Sequence, residues 1–219
     1  MNGLFVTGTD TDVGKTWVGC LLIKSLKAKG IDIQVRKPIE SGWPSSTDNL
    51  PSTDAWRLAN AAEQLAKLDQ VCPNRFAAAL SPVRAARMED SSLNLDGVAE
   101  QCTSSLSNDD FLYVEGAGGF YSPLVENGLN ADLASKLKLP IILVANNRLG
   151  CINHVLMTHE VIQQRGLNLI AVVLNQVENT GHHAAMNNQE DLQELMTQPV
   201  FSIAHGQTTL PEPLVNLLY

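Results

Sequence analysis

A stretch of small and polar residues, Gly8-Thr9-Asp10-Thr11-Asp12-Val13-Gly14-Lys15-Thr16, follows the apolar Leu4-Phe5-Val6 and leads into a helical pattern. Residue types and spacing of this kind suit phosphate chemistry. Backbone N–H groups of such a loop converge on an anion, the new helix opens with four unpaired N–H groups, and Lys15 adds a compact positive charge. The Thr16 hydroxyl is placed to ligate a magnesium ion shared with a nucleotide. The strict phosphate-loop pattern wants Gly where Thr9 stands, with Gly8 one place early, so the loop is a variant form. A Gly-rich turn that merely starts a helix is the rival reading, and it needs neither Lys15 nor Thr16.

Four further places carry groups able to act on a bound triphosphate. Lys37 stands in Arg36-Lys37-Pro38-Ile39-Glu40-Ser41-Gly42, where Pro38 ends strand pairing and biases Lys37 toward an extended backbone. It reads equally as a solvated lysine or as a cation at the phosphate loop. Asp54 opens a helical run through Trp56, Leu58, Ala59 and Ala62. Ser52-Thr53-Asp54 caps that helix, and Asp54 is also a candidate magnesium ligand; the two roles are compatible. Glu115 closes the apolar Leu112-Tyr113-Val114 and is followed by Gly116-Ala117-Gly118-Gly119, the arrangement of a metal-binding carboxylate at a strand tip before a tight turn. Leu149-Gly150-Cys151-Ile152-Asn153-His154 begins another helix, whose N-terminus suits a carboxylate or phosphate. His154 and His159 read as packing or surface residues of that helix.

The elements that must position these groups are legible as alternating units. Strands are expected at Leu4–Val6, Ile33–Arg36, Phe111–Glu115, Ile141–Ala145 and Leu169–Leu174, with a helix from Lys15 to about Lys29 and helical patterns between most strands. That order predicts an α/β fold, a mostly parallel sheet with helices on both faces, and ligands at the carboxyl ends of the strands. The segment from Ser41 to Ser52 reads as an active-site loop, His182 and His183 as part of a solvated loop, and Ala184 to Met196 as a surface helix.

The chain has 219 residues, 44% of them hydrophobic and only 5% aromatic, and a formal net charge of −8. Length suits one large domain, residues 1–219, with aliphatic packing. Dispersed Lys and Arg on an acidic chain argue against nucleic acid. The four cysteines form no C-x-x-C pair, and no signal peptide or membrane span is evident, so a cytoplasmic protein with reduced thiols is expected.

The variant loop, Lys37-Pro38-Ile39-Glu40-Ser41-Gly42, Glu115-Gly116-Ala117-Gly118-Gly119 and Leu149-Gly150-Cys151-Ile152-Asn153-His154, in this order over about residues 3 to 176, resemble the dethiobiotin synthetases of biotin biosynthesis. The resemblance implies a P-loop NTPase-like fold and closure of a cyclic urea on 7,8-diaminononanoate (7,8-diaminopelargonate) with CO2, ATP and Mg2+. The route it implies runs through a carbamate and a carbamic-phosphoric mixed anhydride to ADP, phosphate and dethiobiotin. It also assigns roles. Lys37, Lys15 and Thr11 are the catalytic set, and Ser41 orients the diamine. Asp12, Val13, Gly14, Lys15, Thr16, Glu115, Gly116, Gly118 and Asn175 bind the nucleotide, and Thr16, Asp54 and Glu115 hold the metal. Gly150, Cys151, Ile152 and Asn153 receive the substrate carboxylate across a homodimer interface. On these roles, Lys37→Ala nearly abolishes turnover while the fold persists.

The chain departs from the family at Phe201-Ser202-Ile203-Ala204, where members commonly carry G-x-I-P around the adenine, which leaves base selectivity open. Two other classes compete. A cobyrinic acid amide synthase type of amidoligase would need a glutamine-hydrolysing domain with a Cys-His pairing. A ParA or MinD-type regulatory ATPase would carry an extra lysine early in the loop and a basic or amphipathic tail, and here Thr9, Asp10 and Thr11 occupy that part of the loop.

Overall fold

The computed structural model describes residues 2–107, 109–179 and 186–218. In chain order it contains β1 (Asn2–Gly8), α1 (Lys15–Ala28), β2 (Ile33–Arg36), β3 (Ile39–Ser41), α2 (Asp54–Ala61), α3 (Leu68–Val71) and β4 (Asn74–Phe76). There follow α4 (Pro82–Met88), α5 (Leu95–Thr103), β5 (Phe111–Gly119), β6 (Pro123–Val125), β7 (Gly128–Leu129), α6 (Asn130–Leu137) and β8 (Ile141–Asn146). The rest is α7 (Cys151–Gln164), β9 (Leu169–Asn175), α8 (Asn188–Leu195), β10 (Val200–Ile203) and α9 (Glu212–Asn216).

Six strands form one parallel sheet in the order β10-β9-β8-β1-β5-β2. Alternate side chains go to opposite faces because the strand period is two. Leu4 and Val6 of β1, Tyr113 of β5 and Val144 of β8 therefore join one core, which Val18, Leu22 and Leu26 of α1, Leu58 of α2 and Leu214 of α9 cover. Phe5, Leu112, Val114 and Leu143 join the other, under Cys102 of α5, Leu133 of α6, Val155 of α7 and Leu192 of α8. Burial on both faces explains why these strands read as near-continuous apolar runs rather than as alternation.

The strand order reverses at β1. The chain passes from β1 outward to β2, and β5 later fills the place between them, so the loop after β1 lies at the crevice where such sheets bind ligands. Among the described residues, no helix is long and apolar enough to cross a membrane.

Several expectations need correction. Glu115 is not at a strand tip: β5 runs on to Gly119, and the pairs Val6–Glu115 and Gly8–Gly119 bracket a register shift. The Gly-Ala-Gly-Gly segment is strand rather than turn because Asn130 laces it, accepting from Ala117 N–H at 2.9 Å and donating to the carbonyls of Ala117 and Gly119 at 2.6 and 3.1 Å. The loop after Ser41 contains a 3-10 helix over Thr47–Ser52. Phe201-Ser202-Ile203 belongs to a sixth strand, β10, and the tail beyond His205 returns as α9 to pack near α1. His182, His183 and Ala184 lie outside the described residues, and the helix beyond them runs over Asn188–Leu195.

At the β2 edge, the buried Gln64 lies alongside the strand. Its carbonyl oxygen accepts from Val35 N–H at 3.3 Å, and its amide donates to the Ile33 carbonyl.

Candidate active site

The carboxyl ends of β1 and β2 and the middle of β5 meet around one buried ammonium. Lys37 leaves β2 with its backbone N–H tied to the Val71 carbonyl at 2.7 Å. Its side chain then turns under the phosphate loop, only 3% exposed. There Nζ donates to Glu115 Oε1 at 2.7 Å and to Asp54 Oδ2 at 3.0 Å, with the Gly116 carbonyl at 3.4 Å. Thr16 donates its hydroxyl to the same Glu115 Oε1 at 2.8 Å. Lys37, Thr16, Asp54 and Glu115, about a hundred residues apart at the extremes, thus converge on one point.

Asp54 reaches it as the first residue of α2. Thr53 caps that helix by accepting from Trp56 N–H at 3.2 Å. Nothing in the sequence pattern gives Glu40 a role, and the structure shows what it does. Its two oxygens accept from the Asp54 and Ala55 N–H groups at 2.7 and 2.8 Å, so β3 holds the start of α2 in place. A carboxylate at a helix N-terminus satisfies donors that have no partner within the helix. The signal available was an acid just beyond Lys37-Pro38, a strand-end position shared with the other chemistry-bearing residues.

The charges shift one another as this geometry requires. Burial alone would push the Lys37 pKa down, but Asp54, Glu115 and Glu40 outweigh it and hold the ammonium well above the ordinary lysine range. Burial raises the Asp54 carboxyl, yet the Lys37 charge and hydrogen bond prevail and bring it down to about 2. Burial dominates at Glu40, whose carboxyl sits above its ordinary value. Lys15 goes the other way: desolvation and the neighbouring Lys37 lower it to about 8. An ammonium binds phosphate only while protonated, so affinity of the free protein for ADP is expected to hold below pH 8 and to fall as pH rises through that value. Calorimetric titration across pH 6.5–9.5 checks this, and a flat profile would remove Lys15 from the phosphate site.

The loop between β1 and α1 is closed tightly. Lys15 Nζ donates to the Asp10 carbonyl at 2.9 Å, and Thr11 N–H donates to the Asp10 carboxylate at 2.7 Å. Gly14, at φ +88°, turns the chain into α1 in the left-handed region. Asn175, at the end of β9, is buried and donates its amide to the Val13 carbonyl at 3.1 Å. In this structure Asn175 therefore buttresses the phosphate loop, and it is not among the residues facing the open groove beside it.

Three connected clefts lie along the sheet edge, and all three include Thr11 and Asp12. One of about 440 Å3 is walled by Asn146, Arg148, Val177 and Glu178. The second, about 260 Å3, contains Gly14, Lys15, Thr16, Lys37, Asp54 and Gly118. The third, about 610 Å3, shares Lys37, Asp54 and Gly118 and adds Ser41, whose hydroxyl donates to the Leu80 carbonyl at 2.6 Å. The structure thus brings Thr11, Lys37, Ser41 and the phosphate loop together.

Gly150, Cys151, Ile152 and Asn153 do not line the cleft that holds Lys37 and Ser41. They form the start of α7, where Gly150 takes a left-handed φ of +90°. Cys151 N–H is already bonded to the Arg148 carbonyl at 3.0 Å. The N–H groups of Ile152 and Asn153 remain first-turn donors without an intrahelical partner.

A family model described as an AAA domain matches residues 2–206. An ATP-dependent dethiobiotin synthetase from Anaeromyxobacter dehalogenans is 42% identical over 175 residues, 80% of this chain and 77% of that protein. A protein of the same description from Yersinia pestis is 36% identical over 199 residues, 91% of this chain and 82% of that one. Among solved structures, the MinC:MinD cell division complex from Aquifex aeolicus aligns over 100% of this chain and 85% of that chain, with a TM-score of 0.50 at 15% identity. That likeness concerns the fold alone, a P-loop NTPase-like α/β sheet. Identity of this level over most of both lengths places the chain in the family of ATP-dependent dethiobiotin synthetases.

Proposed function

We propose that residues 1–219, acting as one domain, use ATP and CO2 to close a cyclic urea on 7,8-diaminononanoate, releasing dethiobiotin, ADP and phosphate. The observation that carries this reading is the buried Lys37 ammonium beside Asp54 and Glu115, at the junction of the phosphate-loop cleft with the cleft that holds Thr11 and Ser41.

One amine of the substrate takes up CO2 as a carbamate. The carbamate oxygen attacks the γ-phosphate, and the second amine then displaces phosphate from the mixed anhydride. Two anions must approach, so the site needs fixed positive charge aimed at the transferring group. Lys37 supplies it as a permanent ammonium that cannot accept a proton at working pH, and Lys15 with the loop N–H groups supplies it from the other side. Thr11 and Ser41 orient the diamine and its carbamate, so that the second amine lies within reach of the anhydride before water does. Asp12, Val13, Gly14, Lys15 and Thr16 cradle the triphosphate, with Gly118 lining the same cleft and the buried Gly116 acting behind it through its carbonyl beside Lys37. Asn175 acts at the nucleotide through its hold on the phosphate loop.

Thr16, Asp54 and Glu115 are the residues that would hold Mg2+. A hydroxyl and two carboxylates are hard oxygen donors, which fit this ion when phosphate oxygens and water complete its shell. No denser group of His, Cys, Asp and Glu that could hold a metal ion exists among the described residues. When bound, the ion neutralises charge on the nucleotide phosphates.

The start of α7 lies outside the chain's own diamine cleft, which supports a homodimer in which Gly150, Cys151, Ile152 and Asn153 of a second copy receive the substrate carboxylate. Here Ile152 and Asn153 bring first-turn N–H groups of α7, while the Cys151 N–H orders the turn through the Arg148 carbonyl.

The test is phosphate release from ATP and magnesium by purified protein, with and without bicarbonate and the diamine, with dethiobiotin followed by mass. Equal amounts of phosphate and dethiobiotin, formed only when both substrates are present, are expected. ATP hydrolysis indifferent to the diamine would overturn the assignment in favour of a switch ATPase. Light scattering of the same sample tests the dimer.

A further inference from the structure

Glu115 is fully buried, and its two oxygens have different company. Oε1 faces the site, where Lys37 and Thr16 both donate to it. Oε2 points back into the core under α1, and there the Tyr113 hydroxyl donates to it at 3.2 Å. Tyr113 and Glu115 are two apart on β5 and so share one face of the sheet. The phenol is itself fully buried, among the largest side chains of that core.

Phenylalanine would fill the same volume with no polar atom to satisfy, so the hydroxyl needs a reason beyond packing. The helix above makes room for it. A Cβ at Gly19, in the interior of α1, would stand 2.0 Å from the Tyr113 oxygen. Glycine inside a helix costs about 1 kcal/mol relative to alanine, and here it admits the hydroxyl.

Resting on the function proposed above, we propose that Tyr113 is a positioning residue. By holding Oε2, it fixes the rotation of the Glu115 carboxylate so that Oε1 alone is presented to Thr16, Lys37 and the magnesium–nucleotide complex. A carboxylate without this tether turns about its last bond and shares its charge between the core side and the site.

The experiment compares the full-length wild type with Tyr113→Phe by calorimetric titration of ADP, once with magnesium and once with EDTA. Thermal melting and the dethiobiotin assay run alongside. ADP affinity in EDTA is expected to stay within about twofold, while the gain on adding magnesium falls about tenfold, the size of one hydrogen bond to a charged group. The kcat is expected to fall with little change in the diamine KM. Gly19→Ala crowds the phenol away while keeping its hydroxyl, and should reproduce the loss of magnesium gain. An undiminished gain in either folded variant overturns the proposal, even if the melting temperature drops, because a packing role alone would lower only the latter. A wild type whose ADP affinity ignores magnesium overturns it as well, and dethiobiotin formation by that protein separates this failure from failure of the proposed function.

Discussion

Lys37→Met is expected to remove measurable dethiobiotin formation and also to weaken the fold by about 3–5 kcal/mol, the usual cost of leaving a buried charge without its partner. The second effect arises from the geometry. Lys37 is 3% exposed and joins Asp54 and Glu115, so its removal takes from the fully buried Glu115 the cation in contact with it. The expectation from sequence, that the fold simply persists without Lys37, did not include this burial. Lys37→Met/Glu115→Gln removes both charges and should regain most of the lost stability while staying inactive, because well-packed neutral groups replace an ion pair at little cost. Chemical denaturation and the product assay on the three proteins decide it. A single mutant with half the wild-type rate would remove Lys37 from catalysis, and a double mutant no more stable than the single one would refute the pairing account.

Gly14→Ala should lower ATP affinity at least about 100-fold, or roughly 3 kcal/mol. Two costs combine. At φ +88° a Cβ meets left-handed strain of about 1–2 kcal/mol. The same Cβ would stand 2.1 Å from the Asn175 amide nitrogen, the group that holds the Val13 carbonyl. Something must shift, and both neighbours belong to the phosphate loop or its buttress. In Gly14→Ala/Asn175→Ala the clash is gone but the strain remains, so binding should recover only in part. Nucleotide calorimetry on both proteins measures the split. Wild-type affinity in Gly14→Ala would show that the loop relaxes freely, contrary to the packing described here.

The central strands were legible because both faces are buried: Ile33–Arg36 appears in the structure as expected, and Ile141–Ala145 and Leu169–Leu174 each lengthen by one residue at the C-terminal end. Elements whose stability comes from partners elsewhere were not. β3 and β4 have three residues each and pair only with one another, and β10 carries Phe201 and Ser202 where a buried strand would show continuous aliphatics. The extension of β5 was hidden by its glycines, which read as a turn until Asn130, 13 residues beyond Ala117, supplies the bonds that keep them extended. In the candidate site, Lys15, Thr16, Lys37 and Asp54 stood out because each follows a strand or starts a helix, and Glu115 because an acid closes an apolar run before glycines, although it lies in the middle of β5. Glu40 did not, because its partners are backbone N–H groups that only the folded α2 presents. Tyr113 looked like any core aromatic, since a strand pattern shows that a side chain faces inward but not which oxygen it meets.

The amide of Gln64 has a consequence for how copies of the chain can meet. β2 is the outermost strand on its side of the sheet, where unpaired backbone groups would ordinarily invite another chain to add a strand. Gln64 occupies the Ile33 carbonyl and the Val35 N–H, and the Val71 carbonyl takes the N–H of Lys37 just beyond. One side chain thus imitates a neighbouring strand and leaves no template for amyloid-like growth at this border. The guard is attached just beyond the end of α2, so fraying of that helix on heating would uncover the border before the central strands separate. The first aggregates to form would then be joined edge to edge through β2.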